Sequence, residues 1–340
     1  MAEVPGIASI ERLRRWIAYE ARVPGELAGA ELIAGGRSNL TYRLDLGDTR
    51  LVLRRPPLGH VLPTAHDMSR EYRVLTALRD TAVPVPEAVE FCADADIIGA
   101  PFYLMGEVPG VVLRTASDSA AALTPAQAGE LSDVLARTLA AIHAVDITGL
   151  DGLGRGAGYL RRQLARWQRQ WELSATREVD GYPELVARLE AALPPDGEVT
   201  LVHGDFRLDN TIVALQPVPR VAAVVDWEMA TLGDPLADLG LTLTYWADPG
   251  HNDESLPVGQ PTAVDGFATR AEFAARYAEL TGRDVSRMGY YIAFGCFKLA
   301  VVLEGINARY LKHLTVGDGF EAEGPAVPVL IARAHASLDA

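Results

Sequence analysis

Leu201-Val-His-Gly-Asp205-Phe-Arg-Leu-Asp-Asn210, followed by Val224-Val-Asp226-Trp-Glu228, is the stretch on which the reading of this chain turns. Two short apolar runs, Val199–Val202 and Val221–Val225, each end in a polar, acidic cluster. Short apolar runs bounded in this way read as buried strands. Carboxylates carried at the ends of buried strands sit on a rigid frame. Asn210 follows Asp205 by five positions, so the amide and the carboxylate fit on one tight loop. With Asp226 they supply three oxygen groups at one point. The plainer reading is two strands whose ends carry solvated acids. A lone strand-end aspartate favours it; His203-Gly-Asp205, Asn210 and Asp226 together do not.

Oxygen-only groups suit a hard cation such as magnesium, which keeps waters and shares its site with phosphate. Asp205 is then left to accept a proton from a hydroxyl. A base, two metal-holding groups and a nucleotide are the parts that phosphoryl transfer needs.

Working outward, the strand before a cation is the next informative stretch. Leu32 to Arg55 reads as strand, turn, strand, with a first turn at Gly35-Gly-Arg-Ser38-Asn39 and a hairpin signal at Gly47-Asp48. Glycines between strands let backbone approach a phosphate, although most such hairpins are only turns. In Leu51-Val-Leu-Arg54, residues 52 and 54 share a face because side chains alternate. Residues 66–79 read as a helix with Met68, Tyr72, Leu75 and Leu78 in its stripe and Glu71 beside them. Two readings of Glu71 stand: a partner for Arg54, or a surface acid between Arg70 and Arg73. Strands at Ala88–Cys92 and Phe102–Met105 follow, the second leading into Gly106-Glu107-Val108-Pro109-Gly110.

Downstream the pattern becomes helical. Thr124 with Pro125 signals a helix start, and residues 125–144 are amphipathic. Trp167 and Trp171 recur at helical spacing within 157–174 and read as core. Asp234 caps a helix entered by Pro235, and Asp238 ties that helix to the loop at Asp205. Residues 247–266 lack periodicity and read as a long surface loop. Helices at 269–281, 284–311 and 327–338 complete the chain, and Tyr290–Leu303 is apolar enough to be buried.

Composition sets the outer bounds. At 340 residues, 49% hydrophobic and 22% charged, the chain is an ordinary globular sequence with room for two lobes. A net charge of −14 argues against a nucleic-acid partner, which needs a basic face. No 18-residue apolar run or signal peptide is apparent, so no membrane partner and a cytoplasmic location are expected. Cys92 and Cys296 are the only cysteines and read as free thiols. Lys298 and Lys312 are the only lysines among 31 basic residues.

The motif His203-Gly-Asp205-Phe-Arg-Leu-Asp-Asn210 with Asp226-Trp-Glu228 resembles the catalytic loop and metal-binding turn of the aminoglycoside phosphotransferase and choline kinase superfamily. Gly35-Gly-Arg-Ser-Asn39, Leu53-Arg-Arg-Pro-Pro57 and Arg70-Glu-Tyr-Arg-Val-Leu75 are more similar to the kinase-like domains fused to acyl-CoA dehydrogenases than to antibiotic-resistance enzymes. The resemblance implies an α+β, protein-kinase-like two-lobe fold. A small N-terminal antiparallel β-sheet lobe, residues 1–105, would bind nucleotide. A larger, mainly helical C-terminal lobe, residues 106–340, would carry catalysis and substrate binding.

It further implies ATP and Mg2+ as cofactors and a small-molecule alcohol as partner, in a monomer or homodimer. Asp205 matches the catalytic base, Asn210 and Asp226 the magnesium ligands, and His203 the loop brace. Ser38 and Asn39 fall near the phosphates, and the backbone of Met105, Glu107 and Val108 near adenine. Arg54 stands where most of the superfamily has lysine, paired with Glu71. Arginine is larger, forked and always charged, so a catalytically weak or inactive nucleotide-binding pseudokinase is a second reading. A metallohydrolase built on His203, Asp205 and Asp226 is a third, in which the glycine hairpin has no task.

Overall fold

The computed structural model describes residues 4–21, 23–33, 39–58, 67–150, 152–313 and 320–340. It divides into two compact units. One comprises Met1–Gly110 with Ala222–Ala230, the other Val111–Val221 with Thr231–Ala340.

The first unit is built on a five-stranded antiparallel sheet of order β1-β2-β3-β5-β4. Its strands are β1 (Gly29–Leu32), β2 (Leu40–Leu46), β3 (Thr49–Arg55), β4 (Ala88–Cys92) and β5 (Phe102–Gly106). Leu40–Leu46 and Thr49–Arg55 are joined by a tight turn in which Gly47 takes φ 78°, a region open to glycine at no steric cost. One face of the sheet carries Tyr42, Leu44, Leu51, Leu53, Phe102 and Leu104 against helix α1 (Ile10–Trp16). Trp16 meets Phe102 edge-on with ring centres 4.9 Å apart. Burying a side chain of this kind stabilises by roughly 1.5–3 kcal/mol. Helix α1 ends at Trp16, and Ile17–Ala21 continues as a π-helical turn.

The other face of the sheet, by strict alternation, holds Val52, Arg54, Tyr103 and Met105. Helix α2 (Met68–Leu78) belongs with it. Asp67 caps α2 by accepting from the Ser69 and Arg70 amides, and Met68, Glu71, Val74, Leu75 and Leu78 form its buried stripe. A single turn, α3 (Ala95–Ile98), joins β4 to β5.

The second unit is mainly helical. It contains α4 (Ala116–Ala122), α5 (Pro125–His143), α6 (Tyr159–Ser174), α7 (Tyr182–Ala191), the short strands β6 (Thr200–Val202) and β7 (Thr211–Ala214), and then, after β8 (Arg220–Val224) has led into the first unit, β9 (Thr231–Gly233). Helices α8 (Pro235–Tyr245), α9 (Arg270–Thr281), α10 (Met288–Leu311) and α11 (Glu323–Asp339) follow. Thr124 and Gln127 cap α5 reciprocally, with Pro125 at its first position, a device worth about 1 kcal/mol. By length and composition α10 could cross a membrane, but 67% of its apolar window is buried inside the protein. It packs on α6, α8 and α11 as the central helix of its unit.

Residues 247–266 lack regular structure, as expected, but they are no free surface loop. Leu256, Gln260, Thr262 and Ala263 are buried. Thr262 Oγ1 donates to the Ala247 carbonyl at 2.8 Å, and Gln260 Nε2 donates to the Asp253 carbonyl at 2.6 Å. Side-chain bonds to backbone replace the ladder the segment lacks, and such polar pinning leaves no periodic signal in a sequence.

Candidate functional site

Each unit brings together part of the expected site. In the first, β3 delivers Arg54 and α2 delivers Glu71. Arg54 Nε lies 3.0 Å from Glu71 Oε2 and Nη2 lies 2.5 Å from Asp226 Oδ1. The guanidinium fork therefore bridges two carboxylates, which a lysine ammonium does as a point charge at best. Asp226 takes φ 67°, an uncommon conformation for a residue with a Cβ that aspartate tolerates better than most. The turn is fastened from behind: the Trp227 amide donates to Glu71 Oε1 at 3.1 Å, and the Trp227 indole donates to the Val224 carbonyl at 3.0 Å. Arg70 donates to the Ala230 carbonyl at 2.6 Å. Of the two readings of Glu71, the partner of Arg54 is the one realised, with only 1% of the residue exposed.

The electrostatics follow from burial. The Glu71 carboxyl is pushed up by burial, which Arg54 opposes and the Asp226 and Glu228 carboxylates reinforce. The neighbouring Tyr103 hydroxyl favours the charged form. Burial pulls the Arg54 guanidinium down, but Glu71 and Asp226 more than offset it, so the group is held firmly charged.

Ser38 and the glycines before it lie outside the described residues. Asn39 is buried and donates from Nδ2 to Glu228 Oε2 at 3.0 Å, a partner the sequence reading did not anticipate. Of the expected adenine-holding segment, Met105 sits within β5, opposite Val52 and Ala88. The Gly106 and Glu107 amides donate to the Glu87 and Arg50 carbonyls. The Glu107 carboxylate pairs with Arg43 Nε at 2.7 Å. Val108 follows just beyond the strand.

In the second unit, Asp205 and Asn210 meet on one tight loop. Asn210 Nδ2 donates to the Asp205 carbonyl at 2.8 Å and to its carboxylate Oδ2 at 2.9 Å. That engages the amide's hydrogens and leaves its oxygen as the end a cation would take. His203 is fully buried, and its Nδ1 accepts from the Asp205 amide at 3.2 Å, so it braces the loop. Asp238 clamps the same turn: its carboxylate accepts from the His203 amide at 2.7 Å and the Gly204 amide at 2.8 Å. His143 Nε2 lies 3.2 Å from Asp238, and its Nδ1 lies 2.6 Å from the Tyr277 hydroxyl. Burial pushes Asp238 up, but the hydrogen bond and charge of His143 bring it below the usual carboxylate range.

Three neighbours of Asp205 escaped the sequence reading. The Tyr245 hydroxyl is buried beside the Asp205 carboxylate, and burial, with that carboxylate's charge, raises it above the ordinary phenol range. Arg207 pairs with Asp209 and lies 4.6 Å from the centre of the Tyr245 ring. Lys298 donates from Nζ to the Gly204 carbonyl at 2.7 Å. Tyr245 and Lys298 come from helices far along the chain; the scarcity of lysine was the one available signal for Lys298.

Asn210 and Asp226 are oxygen donors of the type magnesium takes, each now located within its own unit. Among the described residues, no group of three or more His, Cys, Asp or Glu side chains could hold a metal.

A phosphotransferase enzyme family model matches residues 29–290. The chain belongs to the phosphotransferase enzyme family. Acyl-CoA dehydrogenase family member 11 of Gallus gallus is 36% identical over 334 residues, which is 92% of this chain and 42% of that protein. Acyl-CoA dehydrogenase family member 10 of Mus musculus is 36% identical over 284 residues, covering 81% of this chain and 26% of its own length. The chain thus spans less than half of these curated relatives. Among solved structures, a Ralstonia eutropha JMP134 protein assigned to the aminoglycoside phosphotransferases superposes with a TM-score of 0.82 at 30% identity, covering 97% of this chain and 98% of that one. A thermostable mutant of aminoglycoside phosphotransferase APH(4)-Ia, complexed with ADP and hygromycin B, shares the fold with a TM-score of 0.63 at 16% identity, over 96% of this chain and 98% of that one. The resemblance drawn from the two motifs, and the α+β kinase-like fold it implied, are borne out.

Proposed function

We propose that this phosphotransferase moves the γ-phosphoryl group of ATP to a hydroxyl of a small molecule, with a hydroxyacyl compound as the acceptor class. The observation that carries the reading is the Asn210–Asp205 clamp, which holds a carboxylate in one orientation at the end of a buried strand. Asp205 accepts the hydroxyl proton as the acceptor oxygen bonds to phosphorus and the bond to the β-phosphate oxygen breaks. Arg54, kept charged and aimed by Glu71, pairs with phosphate oxygens. Ser38 and Asn39 approach the phosphates, and the backbone from Met105 through Glu107 to Val108 takes the adenine.

Asn210 and Asp226 would hold magnesium, which neutralises phosphate charge when bound. Most of the rate then comes from positioning and from charge already in place. The complex of a fold neighbour with ADP supports the nucleotide. The 36% identity to acyl-CoA dehydrogenase family members supports the acceptor class over an aminoglycoside.

A phosphate-transfer screen with Mg-ATP over hydroxyacyl-CoAs, choline-like alcohols, aminoglycosides and sugars tests the reading. Turnover with a hydroxyacyl compound, abolished by Asp205→Ala and by Asp226→Ala, is expected. One observation favours a second reading: Arg54 already occupies Asp226, as a module that binds nucleotide without turning it over could permit. Tight Mg-ATP binding with no turnover on any acceptor, water included, would select that reading.

A further inference from the structure

Lys298 is out of keeping with its chain and with its helix. It is one of two lysines among 31 basic residues. Lys312 is exposed at the end of α10, whereas Lys298 lies partly buried in the middle of that helix, between Phe297 and Leu299. Taking an ammonium out of water is costly unless it is partnered, and burial does pull this group below the ordinary lysine range. A leucine or methionine would serve helix packing without that cost. The ammonium has a specific use instead. Nζ donates to the Gly204 carbonyl at 2.7 Å and lies 5.7 Å from the centre of the Trp167 ring. Its charge also interacts favourably with Asp205 and Asp238.

The turn His203-Gly204-Asp205 is thus gripped both by its amides and by a carbonyl. Asp238 takes the His203 and Gly204 amides, and Lys298 takes the Gly204 carbonyl. Gly204 has φ 80° and no Cβ, so sterics do little to fix the peptide that follows it. Rotation of that peptide would carry the Asp205 amide off His203 Nδ1 and turn the carboxylate away from Asn210. A single point donor suits this grip. Arginine's planar fork is larger and wants a bidentate acceptor, which one carbonyl is not.

We propose that Lys298 is a positioning residue: its ammonium pins the Gly204 carbonyl and so sets the direction in which the Asp205 carboxylate points. The proposal rests on the reading of Asp205 as the proton acceptor. Lys298→Met keeps the side-chain bulk against Trp167 and removes the charge. Lys298→Arg keeps the charge and changes its shape. Lys298→Cys, aminoethylated, puts an ammonium back on a chain close to lysine's length; Cys92 and Cys296 are both buried.

The probe is Mg-ATP with water as acceptor, alongside a crystal structure of Lys298→Met. In Lys298→Met, kcat should fall on the order of 100-fold while KM for ATP stays within about twofold. Lys298→Arg should stay low and aminoethylated Lys298→Cys should recover, with the Gly204 carbonyl rotated in the Lys298→Met crystal. An unchanged kcat, an unrotated carbonyl, or a loss that aminoethylation leaves uncorrected overturns the proposal. Should Lys298→Met not fold, Lys298→Gln carries the same comparison. If wild-type protein hydrolyses ATP no faster than Asp205→Ala, the same comparison is made with the acceptor found in the screen; if no acceptor is turned over, the phosphotransfer reading fails by itself, and the carbonyl's orientation in the variant crystal alone decides the role of Lys298.

Discussion

The cluster at Arg54 and the loop at Asp205 are held by different forces. Around Arg54 the glue is charge: a buried guanidinium lies between Glu71 and Asp226, and each partner is there because the other is. Around Asp205 it is the backbone: amides of His203, Gly204 and Asp205 all end on side chains, Asp238 twice and His203 once. Charge pairs can be re-partnered when an anion arrives. Backbone clamps leave a loop with one geometry. The contrast suits the proposed division of labour, in which phosphate oxygens must displace an existing partner while the proton acceptor must not move.

The sharpest way to break that contrast is at Asp205. Asp205→Asn keeps shape and the Asn210 contact but cannot take a proton, so transfer to a confirmed acceptor should fall by about 10²–10⁴-fold with an unchanged thermal midpoint. At Arg54 the order should reverse, with folding the first casualty. Arg54→Met leaves Glu71 and Asp226 facing each other without a cation, and denaturant titration should show about 3–5 kcal/mol lost. Arg54→Lys, which keeps a charge but not the fork, should lose only about 1–2 kcal/mol.

Asp238→Asn comes next, at about 1–3 kcal/mol, and it carries a pH signature. The Asp238 carboxyl is held below its ordinary range, so its stabilisation is present above the unfolded value and is lost as pH falls through the folded one. Stability of the wild type against pH should therefore drop more steeply on the acid side than that of Asp238→Asn. Least affected should be Arg43→Ala, which breaks an exposed pair with Glu107; its thermal midpoint should match the wild type.

Much of this was legible because it is local. Asp205 and Asn210 share a loop, Thr124 and Asp234 announce their helices, and the alternation of β3 puts Arg54 on the face away from Leu53. Glu71 was legible only as one of two readings, since neither helix periodicity nor flanking arginines say what lies opposite a side chain. What stayed hidden is long-range. Lys298 and Tyr245 meet the Asp205 loop through the packing of α10 and α8, and nothing beside them in sequence says so. Residues 247–266 misled for the converse reason: polar pinning to backbone mimics a solvated loop. The division expected at residue 105 considered only a linear cut, whereas Ala222–Ala230 is contributed to the first unit from much later in the chain.

That late contribution bears on how the protein is made. The Trp227 amide, which donates to the Glu71 carboxylate, leaves the ribosome roughly a hundred residues after Gly110, so through much of translation Glu71 has Arg54 but not this second partner. A truncation ending at Gly110 would never receive that partner, and a nascent chain stalled before Ala222 should present the same unfinished surface to chaperones.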